Sequence, residues 1–250
     1  MAKSKKSAST SASSGHGAAT RRAPLTRERV LRAAMALADA EGLDALTMRR
    51  VGEQVGVEAM SLYKHVASKD DILDGILELV VLEMAFPSGA GWRAALRARA
   101  ASAREVLLRH RWAALLLESR ITPSPARLRL NENVLRVLRT SGFSTELAYS
   151  AFLTLDSYIY GFTLQEVSWP FEPEERSDVV ETLSPHISPA DYPHLTEVMA
   201  FILERGSRHS RRGKRGDSSR TGYAADFDFG LELVLDGLAR ARRRSAGNEK

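Results

Sequence analysis

The stretch Thr47–Lys69, TMRRVGEQVGVEAMSLYKHVASK, decides how the rest of the chain is read. In its first half Met48, Val51 and Val55 fall on one helical face, and the Thr47 hydroxyl stands where it can accept from a free N–H of the first turn. Gly56 marks the stop, because helices commonly end on a residue with positive φ and glycine takes that conformation at least cost. Val57, just beyond, is placed to pack back on the helix. A second helix is expected from Glu58 to Val66, with Leu62 and Val66 four apart and facing inward. Ala59, Met60, Ser61, Tyr63, Lys64 and His65 are then left mostly outward.

Two helices joined by a short glycine-containing turn give the helix-turn-helix geometry, whose second helix enters the DNA major groove. The outward residues fit that position. Ala59 and Met60 can meet thymine methyls and Ser61 can take either hydrogen-bond role at a base edge. Tyr63, Lys64 and His65 can bond phosphates, which fixes register without reading sequence. Taken alone, a helix-Gly-helix pattern also fits a buried helical hairpin with a decorated surface.

The flanks decide between these readings. GLDALTMRRVGEQVGVEAMSLYKHVASKDDIL resembles the DNA-binding segment of the tetracycline-repressor (TetR) family through Val55-Gly56-Val57, Leu62-Tyr63-Lys64-His65-Val66 and Ser68-Lys69. The resemblance implies phosphate contacts from Thr47, Tyr63, His65 and Lys69, with the edge Glu58, Ala59, Met60, Ser61 and also Lys64 facing the groove. Glu58 departs from the family pattern, which favours a small N-capping residue there. A carboxylate suits the positive end of a helix and can accept from a cytosine amino group, yet it repels phosphate.

Working outward, Val30, Leu31, Ala34, Met35 and Ala38 make a helical stripe over Thr26–Ala40, capped by Thr26 and ended by Gly42, which completes a three-helix head. A fourth helix is expected to start at Ser68 and run to about Phe86, with the domain boundary before Pro87. In the family this helix joins head to body, and its tilt sets the spacing of two heads. Residues 1–22, rich in Ser, Ala, Gly and Lys, read as a disordered basic arm that lies in the minor groove, strengthens non-specific binding or only solubilises.

Beyond residue 87 the periodic segments are all helical: Gly91–His110, Arg111–Ser119, Pro125–Ser141, Ser144–Glu166, Tyr192–Arg205 and Asp226–Arg243. The fold class expected is therefore all-α, a helix-turn-helix head (23–86) on a helical regulatory and dimerisation body (87–243), followed by a tail (244–250). Ser144–Glu166 is apolar nearly all round and needs a partner beyond its own core. Asp226–Arg243, with Phe227, Leu231, Val234, Leu235 and Leu238, is a second such segment. In the TetR family the corresponding helices pair with their copies as a four-helix bundle, which implies a homodimer through 144–166 and 226–243. Ser168–Asp191, with its prolines and Glu172, Glu174 and Glu175, reads as an exposed irregular segment. Gly206–Gly222 reads as a disordered basic loop, or as a second polyanion contact.

The body also resembles the tetracycline-repressor regulatory domain at His110-Arg111, Gly142-Phe143-Ser144, Gly161, Phe229-Gly230-Leu231-Glu232-Leu233 and Gly237-Leu238. Tetracycline-binding members hold their magnesium–drug chelate with a histidine seven residues beyond the first of the His-Arg pair. Leu117 occupies that place, so no metal site and no cofactor are expected. By the same alignment Leu117, Arg120, Asn131 and Val134 line the ligand pocket.

Composition narrows the function classes. The 250-residue chain has no cysteine, so disulfides and thiolate metal sites are excluded. No apolar run is long enough for a membrane span, and a soluble, cytoplasmic protein is expected. The net charge of +5 resides in residues 1–22, where Lys3, Lys5, Lys6, Arg21 and Arg22 meet no acid, leaving 31 basic against 31 acidic residues beyond. There is no phosphate-cradling glycine motif and no His-Glu-x-x-His helix, which disfavours an enzyme. The leading expectation is a homodimeric repressor that leaves a palindromic operator when a small-molecule effector binds. An architectural DNA binder without ligand response and a metabolite-binding or enzymatic helical bundle are the alternatives.

Overall fold

The computed structural model describes residues 24–86, 91–120, 122–168, 176–210 and 223–248, and these contain helices, turns and no strand. The head holds α1 (Arg27–Glu41), α2 (Met48–Val55) and α3 (Ala59–Leu62), with a short 3-10 turn at Leu43–Ala45, and α4 (Lys69–Glu83) leads out of it. The body holds α5 (Trp92–Arg109), α6 (Ala113–Ser119), α7 (Pro125–Thr140), α8 (Thr145–Ser168), α9 (Arg176–Leu183), α10 (Pro193–Ser210) and α11 (Tyr223–Asn248). None of the described helices is long and apolar enough to cross a membrane.

Helix boundaries follow the capping chemistry. Thr26 Oγ1 accepts from Arg29 N at 3.2 Å, Thr47 Oγ1 from Arg50 N at 3.3 Å and Ser68 Oγ from Asp71 N at 3.1 Å. Each satisfies a first-turn N–H that the helix itself cannot.

Two apolar cores share α4. Ile72 and Ile76 belong to the head core with Val30, Leu37, Leu46, Val51 and Leu62. One turn later Leu77, Val80, Val81 and Met84 belong to the body core with Leu96, Leu107, Leu117, Leu155 and Leu235. α4 thus contributes to both cores, and residues 87–90, where the boundary is expected, lie outside the described set.

Three expectations are corrected. The second helix of the motif, expected over Glu58–Val66, ends at Leu62, because the Leu62 carbonyl accepts from both His65 N (2.8 Å) and Val66 N (3.0 Å) and the regular ladder stops there. The irregular segment Ser168–Asp191 contains α9 and a 3-10 turn at Ser184–His186, and α9 packs against α10. The stretch Gly206–Ser210, expected within a disordered loop, continues α10. The arm 1–22, the acidic residues Glu172, Glu174 and Glu175, and 211–222 fall outside the described residues.

Candidate nucleic-acid interface and regulatory interior

The turn between α2 and α3 is built by backbone demands. Gly56 sits at φ 75°, ψ 37°, the left-handed conformation, and the N–H groups of Gly56 and Val57 close back on Glu53 O (3.2 Å) and Gly52 O (2.9 Å). A Cβ on Gly52 would lie 2.8 Å from Val57 O and 3.2 Å from Ala59 N, so a side chain there would push α3 off α2. Leu62 and Val66 are buried beneath α3. Their burial turns the other face outward: Met60 is 74% exposed and Tyr63 50%. Glu58 and Lys64 are exposed, and Ala59, Ser61 and His65 half-buried. Glu58 precedes α3 without capping it through its side chain. Thr47 heads α2 with its hydroxyl in the cap bond, and Lys69 is exposed at the start of α4.

Charge at this face is selectively neutralised. Arg27 is held by Asp71 through bonds of 2.8 and 2.6 Å, Arg50 by Glu41 and Arg49 by Glu53. The Arg27 hydrogen bonds, and after them the Ala67 N–H, draw the Asp71 carboxyl below its usual range. Lys64 and Lys69 take no part in any ion pair among the described residues, so their charge stays available to a polyanion.

Where head meets body, His110 is buried between two carboxylates, with Nδ1 2.7 Å from Asp39 Oδ1 of α1 and Nε2 3.2 Å from Glu83 Oε2 of α4. Trp112 Nε1 donates to the same Asp39 oxygen at 2.7 Å. Arg120 lies here too. Its Nη2 donates to Asp70 Oδ1 at 3.0 Å and its Nε is 3.2 Å from Asp74 Oδ1, so its guanidinium is engaged by α4. These contacts tie Arg120, the residue expected to orient a ligand, to the helix that leaves the head. Sequence reasoning singled out none of Asp39, Glu83 and Trp112; an Asp beside an apolar helical stripe gives no local sign of a partner 71 residues away.

Of the remaining pocket candidates, Leu117 and Val134 are buried in the body core and Asn131 is half-buried on α7. The group missed by the sequence is Arg99. It lies in α5 with 0% exposure, donates through Nη2 to Asp156 Oδ1 of α8 at 2.6 Å, and leaves Nε and Nη1 without a hydrogen-bond partner among the described residues. A buried unmet N–H costs about 1–3 kcal/mol, more on a charged group. Burial pushes the Asp156 carboxyl up, against the pull of Arg99, and Tyr160 is likewise raised by burial. The sequence did hold a sign: Arg99 lies four residues from Ala95 and from Ala103, on the buried face of α5.

The helices expected to pair with a second copy carry two faces each. Phe227, Leu231, Leu235 and Leu238 of α11 fill the chain's own core, and Val234 packs against it. Exposed instead are Phe229 (69%) and Leu233 (56%), with Tyr149 (60%) and Leu153 (44%) on α8.

Comparison with known proteins places this geometry. The family described as bacterial regulatory proteins, tetR family, matches residues 30–76, and the tetracyclin repressor-like C-terminal domain matches 87–242. An HTH-type transcriptional regulator of Saccharopolyspora erythraea is 36% identical over 219 residues, covering 86% of this chain and 85% of its own. The HTH-type transcriptional repressor DrrR1 of Streptomyces coeruleorubidus is 33% identical over 220 residues, covering 86% and 77%. Among solved structures, the TetR family protein ActR of Streptomyces coelicolor in complex with actinorhodin superposes with a TM-score of 0.69 at 26% identity, covering 88% of this chain and 97% of that one.

Proposed function

This chain belongs to the tetR family of bacterial regulatory proteins, and from that premise we propose that it is a ligand-responsive transcriptional repressor, not an enzyme, acting as a homodimer on a palindromic operator in the cytoplasm. The observation that carries the DNA-binding part is the outward face of α3, where Met60 stands 74% exposed beside the unpaired charge of Lys64. An apolar side chain held into solvent on a helix otherwise anchored by Leu62 gains nothing for the fold and suits a thymine methyl. Glu58, Ala59 and Ser61 complete the base-facing edge. Thr47, Tyr63, His65 and Lys69 hold phosphates on either side, and these set affinity and register.

The ligand-responsive part draws on the relatives: ActR has been solved in complex with actinorhodin, and DrrR1 is a transcriptional repressor. Release requires an effector that binds better to the conformation whose heads no longer match the grooves. In this reading Leu117, Val134 and Asn131 belong to the effector site, while Arg120 and His110 carry its effect to α4. The homodimer reading is supported by Tyr149, Leu153, Phe229 and Leu233, which form unpartnered apolar surface on the two expected helices.

Selection of bound DNA from a random pool tests the proposal, with a short inverted repeat as the expected winner and uniform, sequence-blind binding as the outcome against it. On that site Lys69→Ala should weaken binding to every sequence alike and lower the salt slope by about 1. Light scattering should give a dimer that Phe229→Asp converts to monomer.

A further inference from the structure

Several arginines in the chain meet a carboxylate with two bonds. Arg104 engages Glu166 through Nε (2.9 Å) and Nη2 (2.6 Å), Arg27 meets both oxygens of Asp71, and Arg50 both oxygens of Glu41. Arg99, the one arginine that is fully buried among the described residues, is not matched in this way. It gives one N–H to Asp156, and the Nε and Nη1 donors remain unmet at 0% exposure. The surroundings hold a second guanidinium, that of Arg127, with the Glu118 carboxylate 3.7 Å from it. Arg127 of α7 is near enough to act on both Asp156 and Tyr160, and its Nη1 donates to Leu117 O at 2.5 Å. Leu117 and Val134 supply apolar walls from the same core.

A pair kept only for stability would be satisfied or replaced by apolar residues, since burying an incompletely compensated charge opposes folding. A guanidinium offers a planar fork that matches two oxygens of one carboxylate. We infer that the interior of the body receives an anionic effector, apolar apart from a carboxylate that the unmet donors of Arg99 take up, with Arg127 adding positive charge. The inference rests on the reading of the body as an effector domain. It places the specificity of that domain on Arg99, and it assigns Arg120 to the joint with α4.

The test uses the full chain with naphthoate and its neutral isostere naphthamide as probes, followed by calorimetry. Naphthoate should bind at least tenfold more tightly than naphthamide, and Arg99→Met should erase that preference. Arg99→Lys, which keeps the charge and loses the fork, should fall between. Titration of the wild type followed by NMR gives a readout independent of the Met variant's folding: the Arg99 Nε–H signal, identified by its loss in Arg99→Lys, should shift with naphthoate and not with naphthamide. Equal affinity for the two probes, no binding of either, or a tenfold preference that survives in Arg99→Met overturns the inference. Naphthoate bound at Arg99 without any loosening of the operator complex supports the anion site and counts instead against effector-controlled release.

Discussion

Every buried side chain described in the head is apolar, whereas the body buries Arg99, His110 and Thr163 and nearly buries the Arg104–Glu166 pair. The head keeps its ion pairs at the surface, where each contributes little, and its core is set by Leu37, Leu46, Val51, Leu62 and Ile72. Such a core has one good arrangement. Buried polar groups give the body a second kind of interaction, strong when partnered and costly when not, so its free energy is sensitive to what enters it. The contrast separates a part built to hold one shape from a part whose shape depends on a guest.

Breaking the body's polarity should have the largest effect. Glu166→Gln leaves the Arg104 charge without its counter-ion and is expected to cost about 3–5 kcal/mol, while the double change Arg104→Met with Glu166→Leu should recover most of it. Urea melts of the three variants decide this, and a double variant as unstable as the single would show that the pair is held for reasons other than charge. In the head the matching experiment is a cavity. Leu62→Ala should cost roughly 2–5 kcal/mol and abolish DNA binding, because Leu62 alone anchors the four-residue α3 from below. Wild-type affinity for DNA in a folded Leu62→Ala protein would contradict that anchoring.

Acidification should move the two regions in opposite directions. Asp71 is held below its ordinary value of 3.8 by Arg27 and then by Ala67 N–H, so its contribution is present above that value and is lost as pH falls through the folded one. Asp156 is pushed above 3.8 by burial, so its ionisation costs stability as pH rises from 3.8 through its folded value, and acid returns that stability. Asp71→Asn should therefore flatten the acid loss in the head, and Asp156→Asn should remove the acid gain in the body. Body amides and head amides report the two regions separately by NMR; a shift of the same sign in both regions would erase the contrast. The smallest effect on folding belongs to Met60→Ala, within about 0.5 kcal/mol. The same change should alter base preference by ~1–3 kcal/mol at one or two positions, read by repeating the DNA selection.

What the sequence made legible was local. Thr26, Thr47 and Ser68 cap as their spacing predicts, and Gly56 ends α2 because a left-handed residue closes two bonds there. The all-helical class followed from apolar spacing alone. Distance in sequence hid the rest. The orientation of α11 could not be read, because Phe229 and Leu233 alternate with Phe227 and Leu231 along a helix apolar on both sides, and only packing against α8 decides which face turns inward. The contacts of Arg120 with Asp70 and Asp74 were hidden too, because alignment fixes a position and not the direction of a long side chain. Prolines on both flanks concealed α9, whose eight residues gain their support from α10.

The contacts that close each region also set when it can form during synthesis. Across the head, the arginine-to-carboxylate bond with the widest separation spans 44 residues, from Arg27 to Asp71, so the head can complete itself once α4 has emerged from the ribosome. In the body Arg93 waits for Glu232, 139 residues later, and Arg242 reaches back to Ser141 across 101. At roughly 5–20 residues per second, Arg93 waits on the order of ten to thirty seconds for that carboxylate to be made. The internal contacts of the head can therefore close while those that hold α11 to the rest of the body are still to be made.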